Sequence, residues 1–178
     1  RHALTERLSV EGGVRLETTR YAYDNAAPDG VIGRYLRVPD RDDDFTTVTP
    51  NLGVTWQVAP AVQLLARAAR GVRAPQTAEL YRLQPGQAIE GIEPETLDSV
   101  EAGARFETGR LSGEVTGFAM EKRNVFFRDA DGFNVTDGRT RHHGIEFESA
   151  FQLSDQLTAS VAGSWAIHEY AFDRAVTR

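Results

Sequence analysis

Apolar residues alternate with charged or polar ones over long stretches of this chain, the period-2 signature of strands with two unlike faces. Leu8, Val10, Gly12, Val14 and Leu16 fall on one side of a first strand, with Arg7, Ser9, Glu11, Arg15 and Glu17 on the other. The same division sets Val48, Leu52, Val54, Trp56 and Val58 against Thr47, Thr49, Asn51, Thr55 and Gln57, and Val62, Leu64, Ala66 and Ala68 against Gln63, Arg67 and Leu65. Val100, Ala102, Ala104 and Phe106 oppose Ser99, Glu101, Arg105 and Glu107. Leu111, Val115 and Ala119 then share a side with two glycines, while Phe118 and Met120 sit opposite. The last two runs set Ile145, Phe147, Phe151 and Leu153 against Glu146, Glu148 and Gln152, and Leu157, Ala159, Val161, Trp165 and Ile167 against Thr158, Ser160, Ser164 and His168. The pattern predicts an all-β chain, an antiparallel up-and-down meander of about seven long strands.

The connections alternate in length. Residues 24–44, 74–96 and 123–138 are long, whereas 59–61, 108–110 and 153–156 are short. Outer-membrane barrels sort their loops this way, with short periplasmic turns and longer external loops. Several runs also reach the roughly 9–11 residues a tilted strand needs to cross hydrocarbon. A lipid-facing strand face must be apolar, because a charge near the bilayer midplane costs about 2–4 kcal/mol. Glu11, Arg15, Arg67, Glu101, Arg105, Glu146 and Glu148 therefore belong to a polar interior. Tyr21, Tyr23, Phe45, Phe127, Tyr170 and Phe172 beside the long loops, and Trp56 and Phe151 nearer the short turns, suit aromatic belts at the two water interfaces. The whole of 1–178 reads as one partial β-barrel domain, an incomplete piece of a transmembrane barrel, with a plug domain, the first strands and the C-terminal strands expected elsewhere. A soluble antiparallel β-sheet binding module satisfies the same periodicity and stays open as the alternative.

Composition narrows the function. The formal net charge is −6, which argues against nucleic acid as a partner, since phosphate contacts need a basic surface. With no Cys there is no disulfide framework and no thiolate ligand or nucleophile. No nucleophile or zinc-protease motif occurs, so the chain is read as a non-enzyme without a cofactor; an outer-membrane barrel enzyme is the least favoured alternative.

Three segments stand out as motifs: Gly71-Val72-Arg73-Ala74-Pro75 followed by Glu79-Leu80-Tyr81, then Glu93-Pro94-Glu95-Thr96 leading to Glu101-Ala102-Gly103, and then Arg141-His142-His143-Gly144-Ile145-Glu146. In this order they are similar to motifs of the TonB-dependent outer-membrane receptors, of the siderophore or cobalamin type. The resemblance implies a 22-stranded barrel filled by a plug, in the bacterial outer membrane, importing a ferric siderophore or similar small ligand. Its implied partners are the TonB complex, reached through a plug domain, and outer-membrane lipid and lipopolysaccharide.

Physical reasoning assigns most of these motif residues to the wall. Pro75 removes an N–H and ends a ladder, Gly71 permits close approach, and Glu101 or Glu146 pairs with Arg67, Arg73 or Arg105 across strands. Gly71, Arg73, Pro75, Glu79, Tyr81, Pro94, Glu95, Glu101, Gly103, Gly144 and Glu146 are thus expected to hold the barrel. Ligand-contact candidates are Tyr81 and Arg82, Arg123, Phe126, Phe127 and Arg128 in the next long loop, and His142 and His143 at a strand entrance. Arg with aromatic neighbours suits an anionic, aromatic-bearing chelate. His142 and His143 are adjacent and point to opposite faces of a strand, so no metal site is assigned to them. Residues 40–44 are acidic and read as a solvated loop rather than a calcium site.

Overall fold

The computed structural model describes residues 2–33, 35–87, 92–128 and 134–172, with the side chains of Ile32, Arg128 and Asn134 left aside. The chain runs β1 (His2–Ala3), β2 (Leu8–Tyr23), β3 (Gly30–Ile32), β4 (Tyr35–Arg37), β5 (Arg41–Ala59), β6 (Val62–Arg73), α1 (Thr77–Tyr81), β7 (Glu95–Thr108), β8 (Leu111–Arg128), β9 (Asn134–Ser154) and β10 (Leu157–Tyr170). Eight strands form one antiparallel sheet in the order β1-β2-β5-β6-β7-β8-β9-β10, and β3–β4 is a separate hairpin. This is the expected meander, β2 and β5 to β10, with the two-residue β1 added along β2. The sheet is open, with β10 on its other edge.

Register fixes the faces, because directly opposed residues of an antiparallel pair share one. Val10, Val54, Ala66, Ala102, Gly117, Ile145 and Trp165 form one row across the sheet, and Trp56, Leu64, Ala104, Val115 and Phe147 form the row beside it. Arg67, Glu101, Arg105, Glu114, Glu146 and Glu148 take the opposite parity. Nothing among the described residues covers the apolar face: Trp56 is 51% and Trp165 60% exposed. A soluble sheet does not leave so wide an apolar face bare, whereas a barrel wall turns it to lipid.

The strands run further than the apolar alternation suggested. β5 begins at Arg41, β8 reaches Arg128 and β9 begins at Asn134, so residues 41–44 and 123–128 are strand rather than loop. Beyond the apolar band both faces carry polar residues, and the hydrophobic period disappears while the backbone ladder continues. Ion pairs replace it on the apolar side. Arg70 grips Asp98 through two hydrogen bonds of 2.6 and 2.9 Å, and Glu121 accepts from Arg123 at 2.5 Å and Arg141 at 2.9 Å, with Arg139 at 3.9 Å.

The buried core lies on the polar face, at the long-loop end. Val38, Leu80 and Leu83 are its members among the described residues. Leu36 donates its N–H to the Leu83 carbonyl at 2.9 Å, tying the β3–β4 hairpin to the segment after α1. Two long loops thus fold inward over the polar side of the sheet. The aromatic belt is corrected accordingly: Tyr21, Tyr23 and Phe45 have inward parity and pack beneath α1 instead of girdling the outside.

Candidate functional site

The inward-folded loop is built on a knot of charge. β6 ends at Arg73, and Pro75 follows it, buried, its carbonyl accepting the Tyr21 hydroxyl at 2.8 Å. Arg73 reaches Glu95 at 2.8 Å and Glu79 at 3.0 Å, and Lys122 pairs with Glu95 from β8. Glu95 is buried, so its carboxylate depends on these two cations. Glu79 also accepts the Gln76 N–H at 2.8 Å, satisfying one free donor at the start of α1. Pro94 accepts a hydrogen bond of 3.1 Å from the Asn124 amide, and Asn124 holds a left-handed φ of 56° at a register shift in β8.

Above this knot sits an aromatic platform. Tyr81 stacks on Tyr23 with ring centroids 4.3 Å apart and donates its hydroxyl to Asp43 at 2.8 Å. Burial, reinforced by the Asp43 carboxylate, pushes the Tyr81 hydroxyl well above the usual tyrosine range. Asp43 is itself held by Arg41. Arg82, exposed at the end of α1, lies 4.7 Å from the centre of the Tyr35 ring. The platform offers stacking surface, a cation and a hydroxyl facing the side of the sheet on which the polar residues lie.

The remaining candidates separate. Arg123 is on the apolar-side parity beyond the apolar band, paired to Glu121, and so faces away from Tyr81 and Arg82. Phe126 is half-buried in β8, and Phe127 packs on Phe172 with centroids 5.1 Å apart. Arg128 ends β8, and its side chain lies outside the described residues. His142 and His143 are not at a strand entrance but eight and nine residues into β9, because β9 begins early. They do point to opposite faces: His142 is in register with Met120 and His168, and His143 with Ala119 and Ile167.

The wall residues also resolve. Gly103 and Gly144 need to be glycine, since a Cβ would run into the carbonyl oxygens of Val115 and Trp165 respectively. Gly71 does not: the nearest atom to a Cβ there is 3.9 Å away, because the sheet face opposite Leu97 is open at that level. The expected cross-strand ion pairs are replaced by others. Arg105 pairs with Glu114 at 2.6 Å and is 60% exposed, and Arg73 takes Glu95 and Glu79. Glu101 stands opposite Arg67 in register, and Glu146 opposite Thr116 and Ser164. Among the described residues no three His, Asp or Glu side chains gather as a metal-holding group.

Comparison with known proteins agrees with this fold. The family described as TonB dependent receptor-like, beta-barrel, matches residues 1–177. The metal-pseudopaline receptor CntO of Pseudomonas aeruginosa is 27% identical over 170 residues, covering 93% of this chain and 23% of the receptor. The chain therefore spans about a quarter of the length of the curated relatives it matches. Among solved structures, the copper transporter OprC superposes with a TM-score of 0.73 at 17% identity, over 91% of this chain and 27% of that one. The ferric yersiniabactin uptake receptor FyuA from Yersinia pestis gives 0.70 at 15% identity, over 94% and 25%.

Proposed function

Because the chain belongs to the TonB-dependent receptor β-barrel family of bacterial outer-membrane proteins, we propose that it supplies part of the barrel wall and two external loops of an importer whose ligand is a ferric siderophore. The observation that carries this reading is the loop folded over the polar side of the sheet, with Tyr23, Tyr81 and Arg82 grouped above the Arg73–Glu95–Lys122 knot. A planar cation beside stacked aromatic rings suits an anionic chelate with aromatic groups. The chain binds and orients; it does no covalent chemistry. Energy would come from the TonB complex through a plug domain. Arg70, Arg123, Arg139 and Arg141 lie just beyond the apolar band on its own side, which supports a reading in which they meet the phosphates of lipopolysaccharide at the membrane surface. A metal chelate other than a ferric siderophore is the second reading, favoured by the metal-pseudopaline receptor among the relatives.

Equilibrium binding to the full-length receptor in detergent tests the reading, with a ferric catecholate and a ferric hydroxamate as probes. Arg82→Ala should weaken capture of the catecholate about tenfold or more, the worth of one charge-assisted hydrogen bond. Arg123→Ala, which faces away from the loop platform, should leave it unchanged. Undiminished binding in Arg82→Ala would make this loop solvated cover and move recognition elsewhere in the receptor.

A further inference from the structure

We propose that His142, His168 and Met120 form a binding site for a single soft metal ion on the lumen wall, with cuprous copper as the preferred occupant. The three residues occupy one straight row across β8, β9 and β10, each opposite the next in register, on the polar face. The His142 and His168 Nδ1 atoms lie 2.7 Å apart, with ring centroids 4.9 Å apart and the rings tilted at 57°. Two imidazole nitrogens thus converge on one point. A metal held at about 2.0–2.1 Å from each nitrogen needs them only slightly further apart, a change that side-chain rotation alone supplies.

The surroundings prepare this arrangement. Thr140 Oγ1 lies 2.9 Å from His142 Nε2. With Nε2–H donated to that hydroxyl, His142 Nδ1 carries a free lone pair, as the second nitrogen of a metal-binding imidazole ordinarily requires. In the empty pair His168 Nδ1–H donates to it. On binding, that proton leaves Nδ1 while the exposed Nε2 of His168 takes one from water, so both Nδ1 lone pairs meet the ion and no net charge is displaced. Lys122, two residues along β8 on the same face, is the nearby opposing cation, and its charge is engaged by Glu95. Met120 supplies the selectivity: a thioether beside two imidazoles favours Cu(I) over the zinc and nickel that imidazole alone would accept. His143, on the lipid side, contributes nothing.

The probe is the bare ion, so this site stands or falls apart from chelate recognition at Tyr81 and Arg82. Full-length receptor in detergent is titrated anaerobically with Cu(I) against a chromophoric competitor, and separately with Zn(II). One Cu(I) equivalent should be lost in His142→Gln and in His168→Gln. Met120→Leu should weaken Cu(I) about tenfold with Zn(II) unchanged, and Thr140→Val should weaken both by about 10–100-fold. His143→Gln should bind as the parent does. X-ray absorption of the loaded parent should show two nitrogen ligands and one sulfur. Heat-modifiable gel mobility confirms that each variant is a folded barrel; should a histidine variant fail to fold, Thr140→Val and Met120→Leu decide. Unchanged Cu(I) binding in the folded His168→Gln protein, or an equal loss in His143→Gln, overturns the proposal.

Discussion

Toward the short turns, Phe147, Phe151 and Trp165 lie bare on one face of the sheet, whereas at the loop end Leu80 and Leu83 are fully covered on the other face. Among the described residues, one region has a solvent-excluded core and the other has none. The difference follows from what each is dissolved in. In hydrocarbon the backbone ladder must be complete and the outward side chains need only be apolar, so strand pairing and lipid do the work of packing. Above the membrane the same strands stand in water, where an apolar face would be a liability. There the outward face becomes ion pairs around Glu121 and Asp98, and the apolar residues of the loops are gathered inward under α1. A loop core with three buried apolar members among the described residues is small, and its stability is correspondingly local.

The largest expected effect breaks that small core. Leu83→Ala removes a fully buried side chain, a loss of about 2–5 kcal/mol, comparable with everything three apolar residues can contribute. The loop should then open while the barrel stays folded. Limited proteolysis of the full-length receptor should show rapid cleavage within residues 77–87, with gel mobility of the heat-modifiable barrel unchanged. Coupled loss of both would mean that the loop and the wall are one cooperative unit.

The membrane region is sharpened by neighbours on opposite faces. Ala66 belongs to the apolar row with Val54 and Ala102, while Leu65 shares the other face with Gly103 and Thr55. Ala66→Arg places a cation in lipid and should cost about 2–4 kcal/mol, whereas Leu65→Arg places it in the lumen and should cost under about 1 kcal/mol. Urea-dependent refolding into lipid vesicles measures both. Equal costs would mean that the faces are assigned the wrong way round.

Much of the wall was legible because its physics is short-range. The alternation around Val54, Phe106 and Phe147 states which residues meet lipid, and the short turns after Ala59, Thr108 and Ser154 state which strands pair. The strand extensions above the membrane were hidden, since Arg123 and Arg139 to Arg141 alternate nothing apolar and look like loop. The inward facing of Tyr21 and Tyr23 follows from carrying the Leu8–Leu16 alternation to the end of β2; what was hidden is their packing, since the partners, Pro75 and Tyr81, lie 54 or more residues away. His168 could have been found. A hairpin centred on the turn between β9 and β10 pairs it with His142 by counting outward from Thr158 and Gln152. Motif matching pointed at Gly71 and Gly144 alike, and only the geometry of close approach separates them.

The smallest expected effect concerns the hydroxyl that ties α1 to the sheet. Tyr81 donates to Asp43 at 2.8 Å, and burial together with that carboxylate holds its proton above the ordinary tyrosine value. A proton bound more tightly in the folded loop than in the open one is a contribution fully present below about pH 10, the unperturbed tyrosine value. It declines as pH rises beyond that, because the open loop can ionise where the closed one cannot, and a phenolate beside Asp43 would repel it. The closed loop should therefore become progressively easier to cleave between residues 77 and 87 as pH is raised above about 10. Tyr81→Phe keeps the stack on Tyr23 but has no proton to lose. It should be modestly more cleavable than the parent at neutral pH and flatter in its alkaline response. Parallel pH profiles for the two proteins would assign the alkaline opening to another group.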